Sequence, residues 1–178
     1  MDQNTKKNII LTGFMATGKT TIGQIIAKQL RLKFVDTDEL IVIRQGLSIP
    51  EIFEKFGEEA FRKMETKIAG ELAKESGLVI STGGRMMLDP VNVALLTQTG
   101  HVFCLTATAD EILTRLGEDT VNTRPLLAVP DPKAKITALL EERKKGYQCF
   151  QKVSTSKKEP SEVAQDLLAL INKTESKV

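Results

Sequence analysis

The chain has few aromatic residues, few cysteines and almost no histidine. Of its 178 residues none is tryptophan, one is tyrosine, and the aromatic fraction is 4%. The two cysteines, Cys104 and Cys149, lack the C-x-x-C spacing, and His101 has no candidate metal ligands near it in the sequence. These features argue against a disulfide framework and against a zinc site. We expect both cysteines to be buried thiols in a reducing cytoplasm.

Charge and hydrophobic patterning exclude two further classes. The 25 basic and 23 acidic residues give a net charge of +2 and are spread along the chain, so no basic patch indicates a nucleic-acid partner. The apolar stretch from Ile9 to Ala16 is too short and too interrupted by glycine to span a membrane, and no signal peptide precedes it. The length and the 41% hydrophobic content suit one domain over residues 1–178, which we expect to be a cytoplasmic monomer.

Short β-branched runs alternate with longer segments of helical periodicity. This alternation predicts a three-layer α/β/α fold with a central five-stranded parallel sheet. The predicted strands are Asn8–Thr12, Lys33–Val35, Leu78–Thr82, His101–Leu105 and Lys152–Thr155. The clearest predicted helices are Lys19–Leu30, Glu58–Glu75 and Ser161–Asn172.

Two segments break the alternation. Glu39–Gly57 contains two short helical pieces around Gly46 and Pro50, and Gly117–Lys133 is rich in glycine, proline and polar residues. Segments of this kind in a compact domain often cover a substrate. We therefore expect residues 39–77 to form a helical substrate-binding insert and residues 117–133 to form a lid.

The most specific motif is the phosphate loop, residues 13–20, which reads Gly-Phe-Met-Ala-Thr-Gly-Lys-Thr. It fits the pattern G-x-x-x-x-G-K-[ST] between a predicted strand and a predicted helix. The glycines let backbone N–H groups point at phosphate oxygens, Lys19 supplies a positive charge for the β- and γ-phosphates, and the Thr20 hydroxyl can ligate Mg²⁺. The predicted nucleotide-binding residues are Gly13, Ala16, Thr17, Gly18, Lys19, Thr20 and Thr21. The alternative is an ordinary glycine turn.

Three further groups bear on what receives the phosphate. Asp36 and Asp38 end the second strand at the carboxyl edge, where open α/β sheets bind their ligands. One can hold Mg²⁺ through water, a role we give to Asp36 together with Thr20, while Asp38 accepts a substrate hydroxyl proton. The alternative is that either carboxylate only caps the next helix. Arg62, read alone, is a solvated helix charge. Gly83-Gly84 offers backbone N–H groups to an anion or forms a tight turn.

With these motifs the chain resembles the shikimate kinase family over essentially its whole length. The resemblance rests on residues 13–23, Asp36-Thr37-Asp38, Phe61-Arg62, Gly83-Gly84, Arg124-Pro125-Leu126-Leu127, and Arg143 with Tyr147. It implies a P-loop NTPase of nucleoside monophosphate kinase-like architecture that transfers the ATP γ-phosphoryl group to a hydroxyl of shikimate, in aromatic amino-acid biosynthesis, with Mg²⁺.

The resemblance also assigns roles to individual residues. It implies that Asp38 polarises the acceptor hydroxyl, that Arg62 and Arg143 grip the acceptor carboxylate, and that the Gly84 backbone contacts the acceptor. Arg124 would lie in the lid and reach the phosphates, as a catalytic residue with Lys19 and Asp38. Lys157 would lie in the loop beside the adenine.

The sequence departs from the family pattern at two places near the expected acceptor pocket. Arg85 stands where the family usually has a third glycine, and Lys145-Gly146 stands where it usually has Pro-Leu before the tyrosine. Arg85 either extends into solvent or alters acceptor preference. Two alternatives therefore stay open: a kinase for another hydroxy acid such as gluconate, and a non-catalytic nucleotide-binding regulator on the same fold.

Overall fold

The computed structural model describes residues 7–123 and 127–175, with the backbone alone at 118–123 and 175. Its five strands are β1 (Asn8–Gly13), β2 (Lys33–Asp36), β3 (Leu78–Ser81), β4 (Gly100–Thr106) and β5 (Gln151–Ser154). All neighbouring strands pair in parallel, in the order β2-β3-β1-β4-β5. Strand β1 is thus central.

Helices connect the strands and cover both faces of the sheet. They are α1 (Lys19–Leu30), α2 (Thr37–Gln45), α3 (Ile49–Leu72), α4 (Pro90–Thr97), α5 (Ala109–Thr123), α6 (Pro132–Tyr147) and α7 (Pro160–Glu175), and a short 3₁₀ helix spans Met86–Leu88. Within the described residues, no helix has the length and apolar composition needed to cross a bilayer.

Alternate residues of the central strands face opposite layers. Ile10 and Ile80 pack in one core with α3 and α4, whereas Leu11 and Val79 pack in another with α1 and α7. All four side chains are fully buried. Burial on both faces is what a parallel sheet between two helical layers requires. The predicted three-layer α/β/α fold with a five-stranded parallel sheet is confirmed.

The element boundaries differ from the sequence prediction in several places. Strand ends shift by about a residue, and the helix predicted at Glu58–Glu75 is the second part of α3, which starts at Ile49 and has a non-helical residue, Gly57, with φ of 79°. Helix α5 is interrupted at Gly117, which has a non-helical φ of 68°, and a second helical piece follows to Thr123, so part of the predicted lid is helical. Residues 124–126 lie outside the described residues. The sequence analysis did not identify α4 or α6, whose apolar stripes are weak.

The prediction that both cysteines are buried is correct for Cys104 and wrong for Cys149. Cys104 in β4 is buried, and burial raises the pKa of its thiol to about 11. Cys149 is exposed in the turn after α6. The neighbouring side chain of Phe150 takes the interior position instead, where it is 8% exposed.

At the amino end of the sheet, the side chain of Asn8 links β1 to the segments that precede β3 and β4. This side chain is fully buried. Its Nδ2 donates to the carbonyl of Glu75 at 2.8 Å and to Thr99 Oγ1 at 3.2 Å. Its Oδ1 accepts from the backbone N–H of Leu78 at 2.9 Å. This one amide therefore satisfies buried backbone groups at the start of β3 and beyond the end of α3.

We predict that Asn8→Ala lowers the free energy of unfolding by about 2–4 kcal/mol, because a buried polar group that loses its partner costs about 1–3 kcal/mol. Denaturant unfolding measures the loss. The control is Gln24→Ala on the exposed side of α1, where the change should stay within about 0.5 kcal/mol. Equal effects of the two substitutions would contradict the role given to Asn8.

Candidate active site

The phosphate loop connects β1 to α1 in a conformation that depends on positive φ angles. Gly13 has φ of 134° and Gly18 has φ of 94°, and Ala16 also takes a positive φ of 58°. The Thr17 hydroxyl donates to the carbonyl of Phe14 at 2.8 Å and closes the turn. A Cβ on Gly13 would overlap the backbone carbonyl of β4, so glycine is required there. The loop thus has a specific conformation, defined by three positive φ angles and a side-chain hydrogen bond, that an ordinary glycine turn does not have.

Helix α1 begins directly after this loop and has no side-chain cap. The first N–H groups of a helix have no intrahelical partners, and together with the helix dipole they favour a bound anion. Lys19, Thr20 and Thr21 form this first turn. Their backbone N–H groups are suited to phosphate oxygens.

The Lys19 side chain folds back across the loop. Its Nζ donates to the carbonyls of Gly13 at 3.0 Å and Phe14 at 2.8 Å. These contacts hold the ammonium group above the cradle formed by the loop. The ammonium group of Lys19 is therefore held at the loop itself, in keeping with its predicted role as a cation for a bound phosphate.

A hydroxyl and a carboxylate suited to Mg²⁺ meet at the start of α1. Thr20 Oγ1 donates to Asp36 Oδ2 at 2.9 Å, and Ser81 Oγ lies 3.5 Å from the same hydroxyl. Mg²⁺ prefers oxygen ligands and usually takes one or two carboxylates plus substrate phosphates. Among the described residues no group of three or more His, Cys, Asp or Glu side chains could hold a metal. A site completed by phosphates and water fits this donor set.

Asp36 also caps α2, which is the alternative role that the sequence suggested, and its role in holding Mg²⁺ stays a prediction. Its Oδ1 accepts from the backbone N–H groups of Asp38 at 3.0 Å and Glu39 at 3.3 Å. Its Oδ2 remains directed at Thr20. Because Asp36 fills the cap position, Asp38 is not the helix cap.

Asp38 lies beside the glycine pair that follows β3. A Cβ on Gly83 would lie 2.5 Å from Asp38 Oδ1 and 2.9 Å from Glu65 Oε1, so both carboxyl groups contact this glycine. The N–H of Gly83 donates to the buried hydroxyl of Thr37 at 2.9 Å. Only glycine leaves room for the two carboxyl groups at this point.

Arg62 is not a solvated helix charge, because two carboxylates of α3 hold it. Its Nη1 donates to Glu65 Oε2 at 2.7 Å, and its Nη2 and Nε donate to Glu58 Oε1 at 3.0 and 3.3 Å. Burial raises the pKa of Glu65. The Arg62 guanidinium lowers that pKa in part, and the negative charge of Asp38 raises it further. The Arg62 guanidinium also lies 5.3 Å from the centre of the Phe61 ring.

Arg143 on α6 is a buried cation, with 5% of its surface exposed. Among the described residues it forms no ion pair, and its Nε has no hydrogen-bond partner. Its guanidinium lies over the Phe14 ring at 5.0 Å, and its Nη1 lies 3.9 Å from where a Cβ on Gly84 would be. Burial lowers the pKa of Arg143. This group is suited to an anion that enters beside Gly84.

The sequence departure at Gly146 has a packing explanation. A Cβ there would overlap the side chain of Leu88 in the 3₁₀ helix. One residue later the Tyr147 hydroxyl donates to the carbonyl of Gly84. Burial raises the pKa of Tyr147 to about 12, so this hydroxyl stays a donor. The substitution leaves the tyrosine in contact with the glycine pair.

The other departure, Arg85, does not extend freely into solvent. Its Nη1 donates to Glu58 Oε1 at 3.3 Å, and its side chain is 45% exposed. Its backbone has φ of −118°, a conformation that does not require glycine. Arg85 thus links the glycine pair to α3.

Lys157 lies in the loop after β5, at the same edge of the sheet as the phosphate loop. Its backbone N–H donates to Glu111 Oε1 at 2.9 Å, and Ser156 Oγ donates to Glu111 Oε2 at 2.6 Å. Hydrogen bonds lower the pKa of Glu111 to about 2, and the one from Ser156 has the largest effect. Arg115 of α5 completes the junction, because it donates to Ala16 O, Thr155 Oγ1 and Thr155 O at 3.2, 2.9 and 2.8 Å.

The sequence analysis missed several residues of this site. Glu58 and Glu65 stand four residues before and three after Arg62, a helical spacing that could have indicated ion pairs. Arg115 carries no motif, and only the fold brings it to Ala16. Arg124 lies outside the described residues, so its place in the site stays a prediction.

Comparison with known proteins agrees with this geometry. The sequence profile of the family described as "Shikimate kinase" matches residues 15–172. A shikimate kinase from Caldicellulosiruptor bescii is 42% identical over 172 residues, which cover 96% of this chain and 99% of the relative. The structure of a shikimate kinase from Acinetobacter baumannii in complex with shikimate has a TM-score of 0.87 at 36% identity, covering 95% of this chain and 94% of that chain.

A wider likeness concerns the fold alone. A gluconokinase from Sinorhizobium meliloti has a TM-score of 0.57 at 15% identity, covering 98% of this chain and 99% of that chain. Since the family profile and the relatives at about 40% identity each cover most of the sequence, the chain belongs to the shikimate kinase family, whose members are phosphotransferases that act on a hydroxyl group.

Proposed function

We propose that this chain transfers the γ-phosphoryl group of ATP to a hydroxyl of shikimate, at the carboxyl edge of its sheet. The observation that carries the proposal is the buried guanidinium of Arg143, which lies beside the Gly84 backbone and forms no ion pair among the described residues. A desolvated cation without an anion is costly, and a carboxylate of the acceptor would compensate it.

The acceptor pocket, defined by Asp38, Arg62, Gly84 and Arg143, is next to the phosphate loop. Arg143 contacts Phe14 of that loop. With its carboxylate between Arg62 and Arg143, the acceptor would present a hydroxyl towards Asp38. Asp38 then takes the hydroxyl proton as the oxygen attacks the γ-phosphorus. Arg62 of α3 is the pocket residue that comes from residues 39–77, and it supports the proposed substrate-binding role of that segment.

The nucleotide side acts by positioning and by charge neutralisation, which is most of what phosphoryl transfer needs from a protein. Lys19 stabilises charge that develops on the transferred group and on the leaving phosphate. Mg²⁺ would neutralise phosphate charge when bound. Thr20 and Asp36 are the residues that would hold it. Arg124 would add a further cation from the segment 117–133.

We also propose that the chain works as a monomer in the cytoplasm. Both thiols are free, which suits a reducing compartment.

A coupled ADP-release assay with a panel of hydroxy acids tests the proposal. We expect turnover with shikimate to exceed turnover with gluconate and other hydroxy acids by at least about 100-fold. Preference for another acid would make the chain a related kinase, and turnover with none of them would favour a nucleotide-binding regulator.

Lys19→Ala should remove nearly all phosphoryl transfer while the fold stays intact, since the transferred group loses its nearest fixed cation. The matched control is Lys28→Ala, an exposed lysine on the same helix. Turnover of the Lys19 variant within a few-fold of the parent would contradict the role of this loop.

Asp38→Asn should lower kcat by about 10²–10⁴, the usual contribution of a positioned base, with little change in the KM for ATP. Steady-state kinetics measure both. Glu39→Gln, at the adjacent exposed position of α2, is the control and should behave as the parent. An unchanged kcat in Asp38→Asn would leave this carboxylate without a catalytic role.

Arg143→Met should affect acceptor binding and stability in opposite directions. We expect acceptor binding to weaken by about 2–5 kcal/mol because the acceptor carboxylate loses its buried partner. The free energy of unfolding should rise by about 1 kcal/mol because an apolar chain replaces a buried charge. The exposed neighbour Lys144→Met is the control. An equal loss of ATP binding would argue against a carboxylate-binding role.

A further inference from the structure

Glu58 contacts both Arg62 of the acceptor pocket and Arg85. A single oxygen, Oε1, accepts from Arg62 Nη2 at 3.0 Å, Arg62 Nε at 3.3 Å and Arg85 Nη1 at 3.3 Å. A carboxylate oxygen has about two lone-pair sites, so three donors compete for it. Any change in one contact therefore alters the others.

Glu58 occupies the Nη2 and Nε edge of Arg62, so an acceptor carboxylate that binds this edge bidentately must displace it. Glu65 is 1% exposed and bonds Arg62 at 2.7 Å, so it is fixed by burial and by a short contact. Glu58 is 53% exposed, and its contacts with Arg62 are longer. Glu58 is therefore the partner that can be displaced.

A displaced Glu58 would stand near an incoming negative charge. The pKa of Glu58 is lowered first by the hydrogen bond from Arg62 and further by the charges of Arg85 and Arg143, so it stays ionised near neutral pH. Two carboxylates near one guanidinium repel each other unless a second cation is present. Arg85 supplies such a cation to Glu58, because its Nη1 already contacts the same oxygen.

We propose that Arg85 is a positioning residue for the acceptor, which holds Glu58 as the acceptor carboxylate replaces it on Arg62. Arg85 acts through Glu58 and does not touch the acceptor. The inference rests on the proposed function, in which Arg62 binds that carboxylate. It also gives a role to the residue that stands where the family usually has glycine.

The test is a double-mutant cycle of Arg85→Ala and Glu58→Gln, read as the KM for shikimate, the KM for ATP and kcat. We expect Arg85→Ala to raise the KM for shikimate about threefold to fivefold, the range of a partly exposed ion pair. The KM for ATP and kcat should stay within about twofold. In the Glu58→Gln background the same substitution should change the KM for shikimate by less than about 1.5-fold, since no carboxylate remains to be held.

Two further variants sharpen the test. Arg85→Lys keeps the charge and should recover at least half of the loss. Arg44→Ala is the matched control. Arg44 of α2 is 40% exposed, against 45% for Arg85, and it pairs at 2.6 Å with Glu71, a glutamate of the same helix α3 that carries Glu58. Arg44→Ala should leave the KM for shikimate unchanged. An equal effect of Arg44→Ala would make the result a general effect of surface charge and would overturn the proposal.

The remaining outcomes also decide the question. An Arg85→Ala effect that persists in the Glu58→Gln background would mean that Arg85 contacts the acceptor directly, and no effect in the parent would mean that it only pairs with Glu58; either result overturns the proposal. Failure of the proposed function is distinguishable, because the parent protein itself would then not phosphorylate shikimate.

Discussion

The position of β1 at the centre of the sheet is the constraint on which the rest of the site depends. β1 pairs with β3 on one side and with β4 on the other, and every residue from Asn8 to Gly13 is buried. The phosphate loop is the continuation of this strand, so its starting point cannot move without breaking both ladders. The glycine pair after β3 and the aspartates after β2 are brought to the same edge by the same parallel pairing. The positions of all three groups follow from one strand order.

The site is built from charges that are only partly neutralised within the chain. Arg62 has two acidic partners, Arg143 has none among the described residues, and Glu65 is kept buried beside Asp38. Such an arrangement costs stability in the empty protein, because desolvated charges are favourable only when paired. Natural proteins accept such costs where a ligand later supplies the missing charge. This electrostatic pattern supports the proposed acceptor, whose carboxylate would bind Arg143 and whose hydroxyl would face Asp38.

The fold could be predicted from the sequence because its signals are local. Five β-branched runs, the phosphate loop and the stripe of α1 each lie within about a dozen residues. The predictions were weaker where packing between distant segments decides the outcome. Cys149 and Phe150 are both apolar in sequence, and only the geometry after α6 determines that the phenylalanine is buried. Arg115 could not be predicted at all, since its partners are 99 and 40 residues away.

The sequence also could not show that one carboxylate makes two kinds of contact. Asp36 caps α2 with one oxygen and accepts from Thr20 with the other, so its place as a helix cap does not compete with its proposed role in holding Mg²⁺. Arg115 has a related consequence for nucleotide binding. By bonding Ala16 and Thr155 together, it fixes the spacing between the loop that receives the phosphates and the loop proposed to lie against the base. The two loops proposed to bind the ends of the nucleotide are therefore preorganised, and less conformational entropy would be lost when ATP binds.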